Sequence, residues 1–202
     1  MSLNKINLRT AVLVLIVLIA AVLRVLGTGK VLTPLANFTP TGAMALFGGC
    51  YFKDKWKAYL VPLGTLLLSD MVLMNFFFKG FNNGFLYNGW IWIYAAFVLM
   101  VVIGHFIKKV TVTSVVLAAI AATVVHWLVG DFGVWLSGGC TDITTGQPYT
   151  HDMQGLTKCL YLAIPYMKNM LIGNLLYGAL FFGAFELLQK RYPRLQSTIQ
   201  PI

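Results

Sequence analysis

Apolar positions in this chain fall in long uninterrupted blocks rather than in a two-sided pattern, and the blocks set the expected architecture. A bilayer core about 30 Å thick takes about 20 helical residues. Runs of that order lie at 10–27, 58–78, 85–107 and 110–129, with another inside 161–188. One further apolar stretch, 39–53, is too short for a perpendicular crossing. It has to tilt, borrow neighbouring residues or enter as a half-helix. Thr39 is placed to cap its free N–H groups, and Pro40 suits its first turn. Between the last two runs, 130–157 carries Gly-Gly, Gly-Gln-Pro and several Thr and Asp residues, which predicts a long loop. The pattern therefore predicts an all-α membrane protein, a bundle of about six transmembrane helices forming one domain over 1–202.

Composition agrees. The chain is 58% hydrophobic and 10% charged with a mean hydropathy of +0.78, whereas soluble domains carry roughly 25% charged residues. The net charge of +9 raises nucleic acid as a partner. However, the Lys and Arg residues sit in short clusters between apolar runs and form no continuous basic face, so no nucleic-acid partner is expected. They act instead as topology signals. With the N-terminus inside, ten basic residues fall on inner segments (Lys5, Arg9, Lys53, Lys55, Lys57, Lys108, Lys109, Lys190, Arg191, Arg194) and five on outer ones (Arg24, Lys30, Lys79, Lys158, Lys168). That asymmetry predicts six spans with both termini cytoplasmic, in the cell inner membrane. Lys5 and Arg9 ahead of an apolar run resemble a signal peptide. No small-x-small cleavage site follows and Arg24 interrupts the exit, so the first helix is expected to be retained.

Polar side chains inside membrane segments are costly and mark functional candidates. Asp70 lies about 12 Å below the outer end of its run, with Asn75 shallower. His126 and Asp131 lie at the outer end of the fifth run, Lys168, Asn169 and Asn174 in the outer half of the sixth, and Arg24 at the outer end of the first. These residues converge on one leaflet, where Asn37 from the first outer connection joins them and Trp90 and Trp135 are placed to stack on a ligand. Purely structural roles are open too: Asp70 can pair with Arg24 or Lys168, and Asn174 can tie helices together. Pro165, Gly173, Gly178 and Gly183 allow either close packing of the last helix or an interruption. Glu186 and His105 fall at inner ends, where solvation or pairing with Lys190 or Lys109 explains them. Thr41, Ala45 and Gly49 form a small-xxx-small row suited to an internal contact or a partner helix. Of the three cysteines, Cys140 and Cys159 lie on the outer side, and whether they pair is left open by the sequence. His126, Asp131, Cys140, His151 and Cys159 share that side without a recognised ligand spacing, so neither metal nor cofactor is expected.

The segments NFTPTGAMALFGGCYF (37–52), LLLSD (66–70), GDFGVWL (130–136) and KCLYLAIPYMKNMLIGNLLYGALFFGAFE (158–186) resemble an uncharacterised bacterial family of small six-span membrane proteins associated with transport. That family is similar to the substrate-binding S components of energy-coupling factor (ECF) transporters, and the resemblance runs from about Arg24 to Glu186. It implies a bundle whose outer loops and outer helix halves enclose a small, vitamin-like nutrient. It also implies docking on a transmembrane coupling subunit driven by paired ATPases. The alanine row that S components carry on their first helix is reduced here to Ala11, Ala20 and Ala21, which leaves Thr41, Ala45 and Gly49 as the candidate docking row. The chain has no GxxxxGK[ST] loop with which to bind ATP itself. The expectation is a non-enzymatic transport protein that captures its substrate from the outer side. The alternatives are a lipid- or prenyl-modifying enzyme using His126, Asp131 and His151, and a non-catalytic membrane scaffold.

Overall fold

Hydrocarbon selects helices, because a helix satisfies its own backbone hydrogen bonds where no water is available. The computed structural model describes residues 8–28, 35–77, 86–138, 141–142 and 144–196. Among them run seven α-helices and no strand: α1 (Leu8–Thr28), α2 (Thr41–Tyr51), α3 (Lys55–Phe76), α4 (Trp90–His105), α5 (Val112–Ser137), α6 (Met153–Leu162) and α7 (Ile164–Arg191). A 3-10 turn, Pro193–Leu195, follows α7. Helices α1, α3, α5 and α7 are each long and apolar enough to cross a membrane, and α4 is a shorter apolar helix. The chain is a multi-pass membrane protein.

The bundle is organised around α2. Ten of its 11 residues are buried, and it packs against α1, α3, α4, α5 and α7. So tight an enclosure needs small side chains. A Cβ on Gly49 would lie 2.1 Å from the Val101 carbonyl oxygen, and one on Gly104 would lie 2.4 Å from that of Leu46, so α2 and α4 meet backbone to backbone. On the opposite side Phe47 meets Phe182 and Phe185 edge-on, with centroids 5.6 and 5.7 Å apart. Offset and edge-on rings of this kind add to plain burial. By contrast, α1 buries one stripe, Leu13, Val17 and Ala20, and turns Leu15, Leu18, Ile19 and Val22 outward.

Several expectations change. The Thr41, Ala45, Gly49 row is inside the protein, with Thr41 only 4% and Ala45 1% exposed, so no partner subunit can dock on it. Its small residues serve the internal crossings instead. Thr39 does not cap α2, because the helix starts at Thr41 and the cap position falls on Pro40; Thr39 shares a 2.7 Å hydrogen bond with the Thr41 hydroxyl. The loop expected from 130 begins only after Ser137, since α5 continues through GDFGVWL. The glycines there are packing positions rather than breakers: a Cβ on Gly133 would sit 2.2 Å from that of Trp92. The last helix, α7, is itself uninterrupted from Ile164 to Arg191 past all three glycines, and the break falls before it, at Ala163 between α6 and α7, with Pro165 in the first turn of α7. Cys159 is buried on α6 with its thiol 3.5 Å from the Asp131 carbonyl oxygen, while Cys140 lies outside the described residues.

The α2–α4 crossing makes a direct prediction. Gly49→Ala forces the two backbones apart and destabilises by about 1–3 kcal/mol or more. Gly64→Ala on α3, where a Cβ meets nothing within 4 Å, is neutral or slightly stabilising. Thermal unfolding of both variants in detergent measures the contrast.

Candidate functional site

Two polar regions lie at opposite ends of α2. At the Arg24 end, the Asp70 carboxylate is 1% exposed and fully engaged. Arg24 Nη2 donates to Asp70 Oδ1 at 2.5 Å, and Arg24 Nη1 donates to Ser69 Oγ at 2.5 Å. Tyr94 donates to Asp70 Oδ2 at 2.8 Å. A buried charge is tolerated only when paired and hydrogen-bonded, and this arrangement meets both conditions. It ties α1, α3 and α4 together.

Beside this network lies a cavity of about 260 Å3. Its polar lining is Arg24, Asn37, Thr39, Thr41, Tyr87 and His126, and its apolar lining is Ile93, Phe97 and Met170. Helix α1 supplies the arginine, the segment entering α2 supplies Asn37 and Thr39, and α5 supplies the histidine. Asn37 takes a left-handed backbone with φ of 67°, a conformation that asparagine tolerates better than most residues, and this shapes the turn into α2. His126 meets the edge of Phe97 with centroids 5.3 Å apart. One helical turn beyond Met170, Asn174 is completely buried and donates to Thr123 Oγ1 at 3.0 Å, while its Oδ1 has no hydrogen-bond partner among the described residues. That oxygen abuts Gly42, whose missing Cβ would fall 2.2 Å from it.

A model of a family of unknown function (DUF6580) matches residues 4–195. The chain belongs to this family. No curated protein and no solved structure matches it.

In this DUF6580 member the cavity gathers only part of the polar set expected from the sequence. Arg24, Asn37 and His126 line it; Asp70 stands behind Arg24, and Asn174 lies one turn deeper. The remaining candidates are employed elsewhere. Asn75 is exposed and donates to the Met71 carbonyl of its own helix, and Lys168 is exposed on α7. Asn169 donates to the Ala36 carbonyl at 2.9 Å and so anchors the segment leading to α2. Trp90 stands edge-on to Tyr94, and Asp131 lies within α5. Trp135 donates to the Thr150 carbonyl at 2.8 Å, fastening the loop before α6. Asp142, paired with Lys158 and accepting from the Thr144 hydroxyl and backbone, holds that loop further; the Lys158 and Thr144 bonds keep its carboxyl well below the usual carboxylate range.

The sequence did not single out Tyr87 or Tyr94, offered Thr39 only as a helix cap, and gave the residues at the opposite end of α2 no site role. There Arg9 is 8% exposed and donates to the Leu195 carbonyl at 2.6 Å, the Tyr51 carbonyl at 3.1 Å and Gln189 Oε1 at 3.2 Å. Glu186 is not simply solvated or paired with Lys190: it accepts from Tyr51 at 2.6 Å and from Gln189 at 3.0 Å. The available signal was that Arg9 and Glu186 are charges on otherwise apolar helices, the same signal that drew attention to Asp70.

The buried pair sets a stability prediction. Arg24→Gln leaves the Asp70 charge uncompensated and costs about 3–5 kcal/mol. Combining it with Asp70→Asn removes both charges and recovers much of the loss. Melting temperatures of the two single variants and the double variant form the cycle that reads this coupling.

Proposed function

We propose that this protein is a substrate-binding membrane transport protein that captures a small nutrient in the cavity beside Arg24. The observation carrying this reading is the cavity itself, which brings six polar residues and an apolar wall together within a helical bundle. Small-molecule sites have about this make-up, a mostly apolar surround with a few fixed polar groups, and volumes of about 300–1,000 Å3. At about 260 Å3 the space suits a small ligand. Its occupant has hydrogen-bond acceptors for Arg24, Thr39 and Tyr87 and a compact apolar or planar body for Ile93, Phe97 and Met170. The N-terminus of α2 adds unpaired N–H groups on the same side, which favours an acceptor or anionic group there.

In the orientation favoured by the distribution of Lys and Arg, the Arg24 end faces outward, the Arg9 end faces the cytoplasm and the chain spans the inner membrane six times with both termini inside. On this reading α2 counts as a short internal crossing, and α6 with α7 forms the last. Energy for release comes from a coupling subunit with ATPases, as in the ECF systems that the sequence resembles. That subunit has to meet a face other than the buried Thr41, Ala45, Gly49 row.

Native mass spectrometry of the protein extracted gently from its own membranes tests the proposal. A small-molecule adduct is expected on the unaltered chain and on Asn75→Ala and Lys168→Gln, whose sites lie away from the cavity. Its retention falls about tenfold in each of Thr39→Val and His126→Ala, the loss expected when one buried polar contact is removed. An unliganded protein, or an adduct indifferent to the two cavity variants, contradicts the reading.

A further inference from the structure

The opposite end of α2 opens on a second, larger pocket of about 590 Å3. Four cations line it, Arg9, Lys53, Lys108 and Lys190, against the single carboxylate of Glu186. That carboxylate is already engaged by Tyr51 and Gln189, and the Arg9 guanidinium is fixed by the Leu195 and Tyr51 carbonyls. Arg9 is thus the fixed cation of the pocket, and Lys53, Lys108 and Lys190 stand exposed around it.

A separate apolar groove of about 290 Å3 runs between α5 and α7. Val112, Val115, Leu175, Ala179 and Phe182 form its walls. Its depth comes from glycine: a Cβ at Gly183 would meet nothing within 4 Å, and one at Gly178 would reach only Val115, at 3.6 Å. Val110 and Glu186 belong to both linings, so the basic pocket and the apolar groove adjoin.

We infer that this end of the protein binds an anionic phospholipid, with the phosphate headgroup in the basic pocket and an acyl chain in the groove between α5 and α7. Basic pockets between helices at the cytoplasmic side attract anionic headgroups, and an adjoining hydrocarbon slot is what distinguishes a lipid from a free phosphate. The site lies beyond the far end of α2 from the nutrient cavity and does not depend on it. Its placement in the inner leaflet follows the orientation proposed above.

The test uses the full-length chain, stripped of lipid in detergent and offered phosphatidylglycerol, phosphatidylcholine or inorganic phosphate, with bound lipid read by native mass spectrometry. Phosphatidylglycerol is retained over phosphatidylcholine and is not displaced by millimolar inorganic phosphate. The variant Lys108→Gln/Lys190→Gln lowers its retention about 30-fold, as expected from two surface cations. Gly183→Leu fills the groove and lowers retention more than about tenfold, and Ala179→Phe serves the same purpose should that variant fold poorly. Equal retention of the two lipids overturns the inference, as does indifference to the lysine variant. Displacement by inorganic phosphate with no effect of filling the groove assigns the pocket to a free anion, which also overturns it.

Discussion

Everything in this bundle depends on enclosing α2, the short helix against which α1, α3, α4, α5 and α7 all pack. At 1.5 Å per residue, the 11 residues of α2 rise about 16 Å, roughly half of a hydrocarbon core. Thr41 and Tyr51 at its two ends are both buried, and unpaired N–H and C=O groups there would be costly. The surrounding helices answer each need. Gly49 and Gly104 let the backbones of α2 and α4 close on each other, Gly42 and Gly48 admit the Asn174 and Pro62 side chains, and the Phe47 cluster fills the side facing α7. At its C-terminal end Arg9 donates to the Tyr51 carbonyl and Phe52 N–H closes on Gly48.

Space is left beyond each end of α2, and two polar pockets lie there. Thr39 and Thr41 at the start of α2 line the smaller cavity, and Gly49 to Lys53 at its end line the larger. Each space is bordered by an arginine that joins helices distant in sequence, the half-buried Arg24 to α3 and the buried Arg9 to α2 and the segment after α7. The same residues thus stabilise the bundle and line its pockets. That sharing explains why Asp70, which does not line the cavity, still matters to it through the position of Arg24.

The helical class and the long spans were legible because hydrophobic length is a strong signal. The course of α5 was not, because GDFGVWL has the composition of a loop. Only the tertiary structure shows that Gly130 and Gly133 are small in order to admit Ile93 and Trp92 of α4. Likewise the small-residue row on α2 signalled close packing correctly, but sequence spacing carries no information on whether the neighbour is internal or external. Within the site, Asp70, Arg24, His126 and Asn174 stood out through the cost of placing them in hydrocarbon. Tyr87 and Tyr94 did not, since a tyrosine beside Trp90 and Trp92 looks like part of an interfacial aromatic belt. Asn75, Lys168 and Trp135 showed the converse: a polar or aromatic residue at the right depth can face away from the site, and helix phase decides which.

The central claim is that the cavity beside Arg24 opens to the outer side. It is tested most directly in intact cells by a small, charged, membrane-impermeant thiol reagent, in a background where Cys50, Cys140 and Cys159 are replaced by serine. A cysteine introduced by His126→Cys should be labelled from outside, whereas one introduced by His105→Cys, at the Arg9 end, should react only after the cells are opened. Labelling of the His105→Cys variant in intact cells, with the His126→Cys variant protected until lysis, would contradict the account.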